Sequence, residues 1–158
     1  MKKSYYHLCF ALSALILLFS SCKKDEGFHQ ISQIEREIYL KINDYRSAQG
    51  LNSLVEQFLI FKEGRLISEK LAEGIYKPGD PAAQNDVDEI TDNLGGTSNA
   101  LLTFTSNIEN ADSIVSALSS EDSTAEILRG EFTQCGVGFS TNPYQVHHIA
   151  VMLINIPN

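Results

Sequence analysis

Near its C-terminus the chain reads Val146-His147-His148-Ile149-Ala150-Val151-Met152-Leu153-Ile154. Successive side chains of a strand point to opposite faces, and from Ile149 onward both alternating sets are apolar. A strand of that kind is covered on both sides. It spans Gln145–Ile156 and pairs with an upstream strand, Gln134–Thr141, across the turn residues Asn142 and Pro143. Helices are therefore expected on both faces of a small sheet, and the rest of the chain has to supply them.

The segment feeding the upstream strand runs from Ile114 to Phe139. A helix over Asn110–Leu118, capped by Asn110 or Ser113, gives way to a serine and acid loop. A second short helix, Thr124–Arg129, follows, with Ser123 and Glu126 at capping-box spacing and Gly130 as its stop. In the strand, Gly136 and Gly138 allow another backbone to approach closely, while Val137 and Phe139 supply an inner face. Further upstream, Ile31, Ile34, Ile38, Ile42 and Tyr45 recur at three- and four-residue spacing, which predicts a helix over Ser32–Gln49. Ser32 and Glu35 form its capping box and Gly50 ends it, followed by an apolar clamp from Leu51 and Leu54. A second helix is expected over Glu56–Glu73, with Phe58, Phe61 or Ile60, Leu66 and Leu71 turned inward. Gly64 interrupts it, at a cost of about 1 kcal/mol relative to Ala. Tyr76–Gln84 has the Pro and Gly content of a loop, Val87–Asn93 that of one or two helical turns, and Leu101–Thr105 alternates as a strand.

The N-terminus has a different character. Lys2 and Lys3 precede an uncharged, mostly apolar run from Leu8 to Phe19, too short to span a bilayer and typical of a secretory signal. The run ends in Leu18-Phe19-Ser20-Ser21-Cys22, which resembles a bacterial lipobox, with Phe19 where Leu is commoner. The charged residues Lys23-Lys24-Asp25-Glu26 follow and resemble surface-export signals of some lipoproteins. The expected organisation is a signal peptide (1–21), a lipidated Cys22 with a tether (22–30), and one domain (31–158). An ordinary signal peptide with an incidental cysteine is the alternative. The expected partner is a membrane, reached through lipid on Cys22. The expected location is the cell envelope, as an outer-membrane lipoprotein, with exposure at the cell surface left open. Loss of residues 1–21 leaves 10 basic side chains against 20 acidic ones, a net charge of about −10. Such a surface offers no electrostatic attraction to nucleic acid or anionic lipid.

Few residues suggest chemistry. Beyond Cys9 and Cys22 only Cys135 remains, in an apolar strand without basic neighbours in sequence, so a buried structural thiol is expected rather than a nucleophile. His147 and His148 are adjacent on a strand and so cannot chelate one metal from the same face. Asp86, Asp88, Glu89 and Asp92 form an acidic patch without the spacing or glycine of an EF-hand loop. Ser119, Ser120 and Ser123 have no histidine near them in sequence to act as a base.

Three separated stretches resemble the CAP superfamily, whose domain is also called the SCP domain. Ile42-Asn43-Asp44-Tyr45-Arg46-Ser47-Ala48-Gln49-Gly50-Leu51-Asn52-Ser53-Leu54 is similar to the family's N-x-x-R-x-x-x-G-L-x-x-L pattern. Leu71-Ala72-Glu73 through Val87-Asp88-Glu89-Ile90 to Gly95-Gly96 is a loose match to the segment bearing a family histidine. Ser116 to Phe139 is similar to W-M-x-S-x-x-H-R-x-x-I-L-x-x-x-F-x-x-x-G-V-G. Over about residues 31–156, the resemblance implies an α+β fold, a three-layer α–β–α sandwich with a small, largely antiparallel central sheet. It also implies a cleft with two histidines and acidic groups able to bind a divalent metal. Here Ser123 stands where one histidine belongs, Ala117 near the tryptophan, and Pro78 to Asp80 where the other histidine belongs. Asn99 best matches the family's cleft glutamate. No catalytic residue, metal ligand or cofactor is therefore assigned, and a non-catalytic module for a lipid or protein ligand is expected. The alternative is an envelope hydrolase using an unrecognised cluster such as Glu109, Asp112 and His148.

Overall fold

A computed structural model describes residues 30–157. The leader, Cys22 and almost all of the tether lie outside the described residues. The first helix, α1 (Gln33–Ala48), starts at an N-cap Ser32. The Ser32 hydroxyl accepts the Glu35 N–H at 3.3 Å and the Glu35 carboxylate accepts the Ser32 N–H at 2.8 Å, which satisfies two of the helix's orphan donors. A two-residue strand, β1 (Val55–Glu56), separates α1 from α2 (Phe58–Ala72). Then come α3 (Pro81–Asn93), β2 (Ser98–Ser106), α4 (Ala111–Ser120), α5 (Asp122–Leu128), β3 (Gln134–Thr141) and β4 (His147–Asn155).

The sheet order is β1-β3-β4-β2. The β3–β4 and β4–β2 pairs are antiparallel and β1 joins β3 in parallel, so the sheet is mixed and mostly antiparallel. Its central strand β4 has alternating faces buried in two separate clusters. Ile149, Val151 and Leu153 pack with Ile38, Ile42, Ile114, Leu118 and Leu128, from α1, α4 and α5. Ala150, Met152 and Ile154 pack with Ile60, Ile67, Ala83 and Val87, from α2 and α3. Two helical layers thus sandwich the sheet, as the apolar pattern of β4 requires.

Helix α2 lies against β3 at backbone distance. A Cβ placed on Gly138 would stand 1.9 Å from the Gly64 carbonyl oxygen, and one on Gly136 would stand 2.4 Å from the Ile60 carbonyl carbon. Gly64 is therefore not a weak point of the helix but half of a glycine-to-glycine contact. This contact also sets the rotation of α2. Ile60, Phe61, Gly64, Ile67, Ser68 and Leu71 face inward, whereas Phe58 and Leu66, expected inside, are 37% and 40% exposed.

Three local expectations need correction. α3 begins at Pro81, with Asp80 as its N-cap accepting the Ala82 N–H at 2.9 Å, so the expected loop to Gln84 ends earlier and the helix is longer. Proline suits the first turn, where its missing N–H costs nothing. The Ser123/Glu126 capping box does not form. α5 starts one residue before Ser123, at Asp122, and the Ser123 hydroxyl donates to Glu121 at 3.0 Å instead. Residues 145 and 146 belong to the turn, where Gln145 has φ +61°, rather than to β4.

Candidate functional site

The residues that carry the resemblance have structural partners. Asn43 on α1 exchanges two hydrogen bonds with Leu54, accepting its N–H at 2.8 Å and donating to its carbonyl at 3.1 Å. The Tyr39 hydroxyl donates to the same carbonyl at 2.8 Å. Arg46, only 3% exposed, donates to the carbonyls of Asn52 (3.1 Å), Leu128 (2.7 Å) and Gly130 (3.0 Å). The last two are at the C-terminus of α5, where unsatisfied carbonyls favour a cation. The N-x-x-R and G-L-x-x-L elements therefore form a clamp tying α1 to the loop before β1 and to α5. Burial of the Arg46 guanidinium lowers its pKa, and its partners are backbone carbonyls rather than a carboxylate.

Glu35 is a second buried node. Fully buried, it pairs through both oxygens with the Arg65 guanidinium of α2, with Nε at 2.9 Å. It also accepts the Phe139 N–H at 3.3 Å. One carboxylate thus joins the start of α1, the middle of α2 and the far end of β3. Arg46 is marked in the sequence by the N-x-x-R pattern and Glu35 only by its capping spacing, and neither shows there the tertiary partners it has. The capping spacing points to Glu35, but nothing local signals that its carboxylate also meets Arg65.

The positions where the resemblance puts the cleft chemistry hold groups with other engagements. Ser123 bonds to Glu121, Ala117 is exposed, and Asp80 caps α3. Asn99 accepts from Gln84 at 2.7 Å and donates to Asp88 at 3.0 Å. Two hydrogen bonds, from Gln84 first and then Asn99, hold the exposed Asp88 carboxyl below its ordinary pKa. The donors at these places are a hydroxyl, an amide and a carboxylate that already carry hydrogen bonds, which does not fit a zinc site built from imidazoles.

The histidines point apart, as adjacent strand residues must. His147, 8% exposed, stacks on Phe139 with ring centroids 5.0 Å apart, and its Nδ1 is 2.9 Å from the Thr141 hydroxyl. His148, between Thr105 of β2 and Ser140 of β3, places Nε2 3.4 Å from the Asn142 amide. Its Nδ1 is buried without a hydrogen-bond partner. Desolvation, then the neighbouring His147, lowers its pKa. Nearby, the Ser68 and Ser140 hydroxyls are 2.9 Å apart, and Ser68 also donates to the Arg65 carbonyl. Neither serine hydrogen-bonds to His148, so no nucleophile and base are paired here. The residues of the suggested hydrolase cluster have separate surroundings. Asp112 pairs with Lys41 at 2.8 Å, and Glu109 borders a depression with Ser32, Gln33, Ile34 and Glu37. Cys135 is fully buried, and burial pushes its thiol up to about 12 against the opposing pull of Arg46. Such a thiol is inert.

Two residues of the acidic patch enter separate networks. Asp86 receives Lys70 at 2.6 Å and the Tyr76 hydroxyl at 2.8 Å, and the hydrogen bond to Asp86 is the main cause of a raised Lys70 pKa. Asp88 belongs to the Gln84 and Asn99 network. Between α2 and α3 a polar hollow of about 120 Å³ is lined by Glu63, Asp86, Glu89, Ile90 and Asn93. Glu63 has its pKa raised there, first by desolvation and then by the charge of Asp86. Among the described residues no group of three or more His, Cys, Asp or Glu side chains is arranged to hold a metal ion.

No family model and no curated protein sequence matches the chain. Solved structures do. An outer surface protein of Borrelia burgdorferi superposes with a TM-score of 0.70 at 14% identity, over 82% of this chain and 97% of that one. An extracellular protein containing an SCP domain from Bacillus anthracis gives 0.65 at 14% identity, over 77% of this chain. The fold is that of the SCP domain. A cysteine-rich secretory protein of Staphylococcus aureus gives 0.62 at 11% identity, over 82% of this chain. The alignments take in only 40% of the Bacillus and Staphylococcus chains, so the match there is to part of a longer protein.

Proposed function

We propose that this protein is a lipid-anchored, surface-displayed binding module with an SCP fold and no catalytic centre. The observation that carries this reading is what occupies the two histidine positions implied by the resemblance. Ser123 there is turned to Glu121, and the Pro78–Asp80 segment serves as the cap of α3. Hydrolysis would need a base within hydrogen-bond reach of a nucleophile or water. Among the described residues His147 Nδ1 meets Thr141 and His148 Nε2 meets Asn142, while the remaining His148 nitrogen is buried with no nucleophile hydrogen-bonded to it. Surface display is supported by the lipobox-like Leu18–Cys22 sequence. It is supported also by the outer-surface and extracellular descriptions of the structural neighbours.

The test is a thermal melt of the soluble chain, residues 27–158, with and without excess Zn²⁺. A ligand at a hundred times its dissociation constant adds about 2.7 kcal/mol to stability, which for a domain of this size raises the melting temperature by roughly 5–10 °C. The expected result is no shift. A saturable rise of that size would show that substitute ligands hold a metal, and the non-catalytic reading would fall.

A further inference from the structure

The two edges of the sheet are treated differently. β1 is an edge of only two residues, and Arg36 crosses to Glu56 beside it at 3.3 Å. β2, at the other edge, runs for nine residues in unbroken one-to-one register with β4. Its sequence is S-N-A-L-L-T-F-T-S, without a charge, a proline or a glycine. The N–H and C=O groups on its outer edge have no partner among the described residues. Soluble proteins blunt such edges with lysine, proline, bulges, short length or a covering element. The β1 edge is short and flanked by charge, and β2 has none of these devices.

From this edge we infer that two copies of the protein pair through β2, antiparallel about Leu102, to give a continuous eight-stranded sheet. The occupant is a second copy because the strand is complementary to itself in that register. Leu102 meets Leu102 of the second copy, Ala100 meets Phe104, Leu101 meets Thr103, Asn99 meets Thr105 and Ser98 meets Ser106. Small opposes large, an amide opposes a hydroxyl, and no like charges face each other; cross-strand pairs of these kinds are the unit of sheet stabilisation. Net charge opposes self-association, with 20 acidic against 12 basic residues, but the repulsion is not concentrated at this contact, because the paired segment Ser98–Ser106 itself carries no charge. Ala100, Leu102 and Phe104 already border the cluster on the α1 side, so pairing would continue that apolar row across the two-fold axis.

The experiment is a pulsed electron–electron distance measurement on the full chain in detergent, spin-labelled at Thr105→Cys, an exposed position. The parent chain, taken through the same labelling reaction, is the control for Cys9 and Cys22, since Cys135 is buried. Pairing about Leu102 separates the two 105 positions by six residues, about 20 Å between backbones. The expected result is an inter-copy distance near that value, absent from the control. Adding Thr103→Lys, which puts a charge on the edge, should remove the distance while leaving the melting temperature within a few degrees. A monomer without an inter-copy distance overturns the inference. So does a dimer whose distance is far from the expected one or survives Thr103→Lys. Residues 22–30 of the same chain found lying on the strand would overturn it as well. Should the lysine variant fail to fold, the distance in the Thr105→Cys protein alone decides.

Discussion

At the scale of single residues, the charged groups that matter most are those out of sight. Arg46 donates to three backbone carbonyls from a nearly buried position, and removing a donor from buried acceptors costs about 1–3 kcal/mol for each one left unpaired after relaxation. Arg46→Leu keeps bulk but not donors, so the domain should lose roughly 2–4 kcal/mol, read as a fall in the urea midpoint. An unchanged midpoint would mean that water replaces the guanidinium without cost. Glu63 predicts the opposite sign. Its folded pKa lies above the unfolded value of 4.5 because burial and Asp86 disfavour its charge. The folded state therefore holds that proton more tightly, a contribution to stability that is complete below about pH 4.5 and lost as pH rises through the folded pKa. At pH 7 the ionised side chain is a burden, and Glu63→Gln should raise the melting temperature there. The gap between variant and parent should close on acidification below about pH 4.5. A variant less stable than the parent at pH 7 would assign Glu63 a favourable partner in Lys70 stronger than its repulsions. Neither role is legible in sequence, since whether a charged helix residue is buried depends on which element packs over it; the N-x-x-R pattern marks Arg46 but not its three carbonyl partners. The Ser32–Glu35 box is legible, because capping is set by residues three positions apart and needs no tertiary partner.

At the scale of elements, legibility follows the range of the forces involved. α1 is readable from its apolar stripe and cap, and β3 and β4 from alternation and the turn between them. β1 is not, because a strand of two residues has no period and exists only through its parallel pairing with Gln134 and Cys135. The inward face of α2 is misread when large apolar side chains are given more weight than glycine. Packing against β3 chooses the narrow face, with Gly64, over the one carrying Phe58 and Leu66. The candidate cleft is legible only in what it lacks; the engagements of Ser123 and Asn99 depend on where α5 begins and on α3 lying beside β2. The glycine contact gives a strict test. Ala normally improves a helix or strand over Gly, but a methyl at position 138 would meet the Gly64 carbonyl at 1.9 Å. The helix and sheet would have to part, so Gly138→Ala should cost at least about 3 kcal/mol, at the upper end of overpacking penalties. A melting temperature lowered by about ten degrees or more, or a failure to fold, is the expected reading. Retention of the parent's melting temperature would show that α2 does not rest on β3 at backbone distance.

At the scale of the whole molecule, the proposed lipid anchor makes a prediction about how an acidic domain would be held at a membrane. Among the described residues no helix is long and apolar enough to cross one, and a net charge of −8 opposes adsorption to anionic lipid. Neither those helices nor the charge would hold the chain at a membrane, so under the proposal the whole of the attachment falls to acyl groups on Cys22. A single chain holds a protein only marginally and reversibly, whereas two or more give stable anchoring. Attachment should therefore depend on one sulfur atom and be insensitive to salt. Cys22→Ser in the full chain should move the protein from the detergent phase to the aqueous phase in a Triton X-114 partition and abolish palmitate incorporation, with the domain's melting temperature unchanged. High salt should not release the parent from membranes, since screening weakens only charge-based adsorption. A serine variant that still partitions with detergent, or a parent washed off by salt, would place the attachment elsewhere in the chain. The surface-display half of the proposal would then have to rest on something other than lipid.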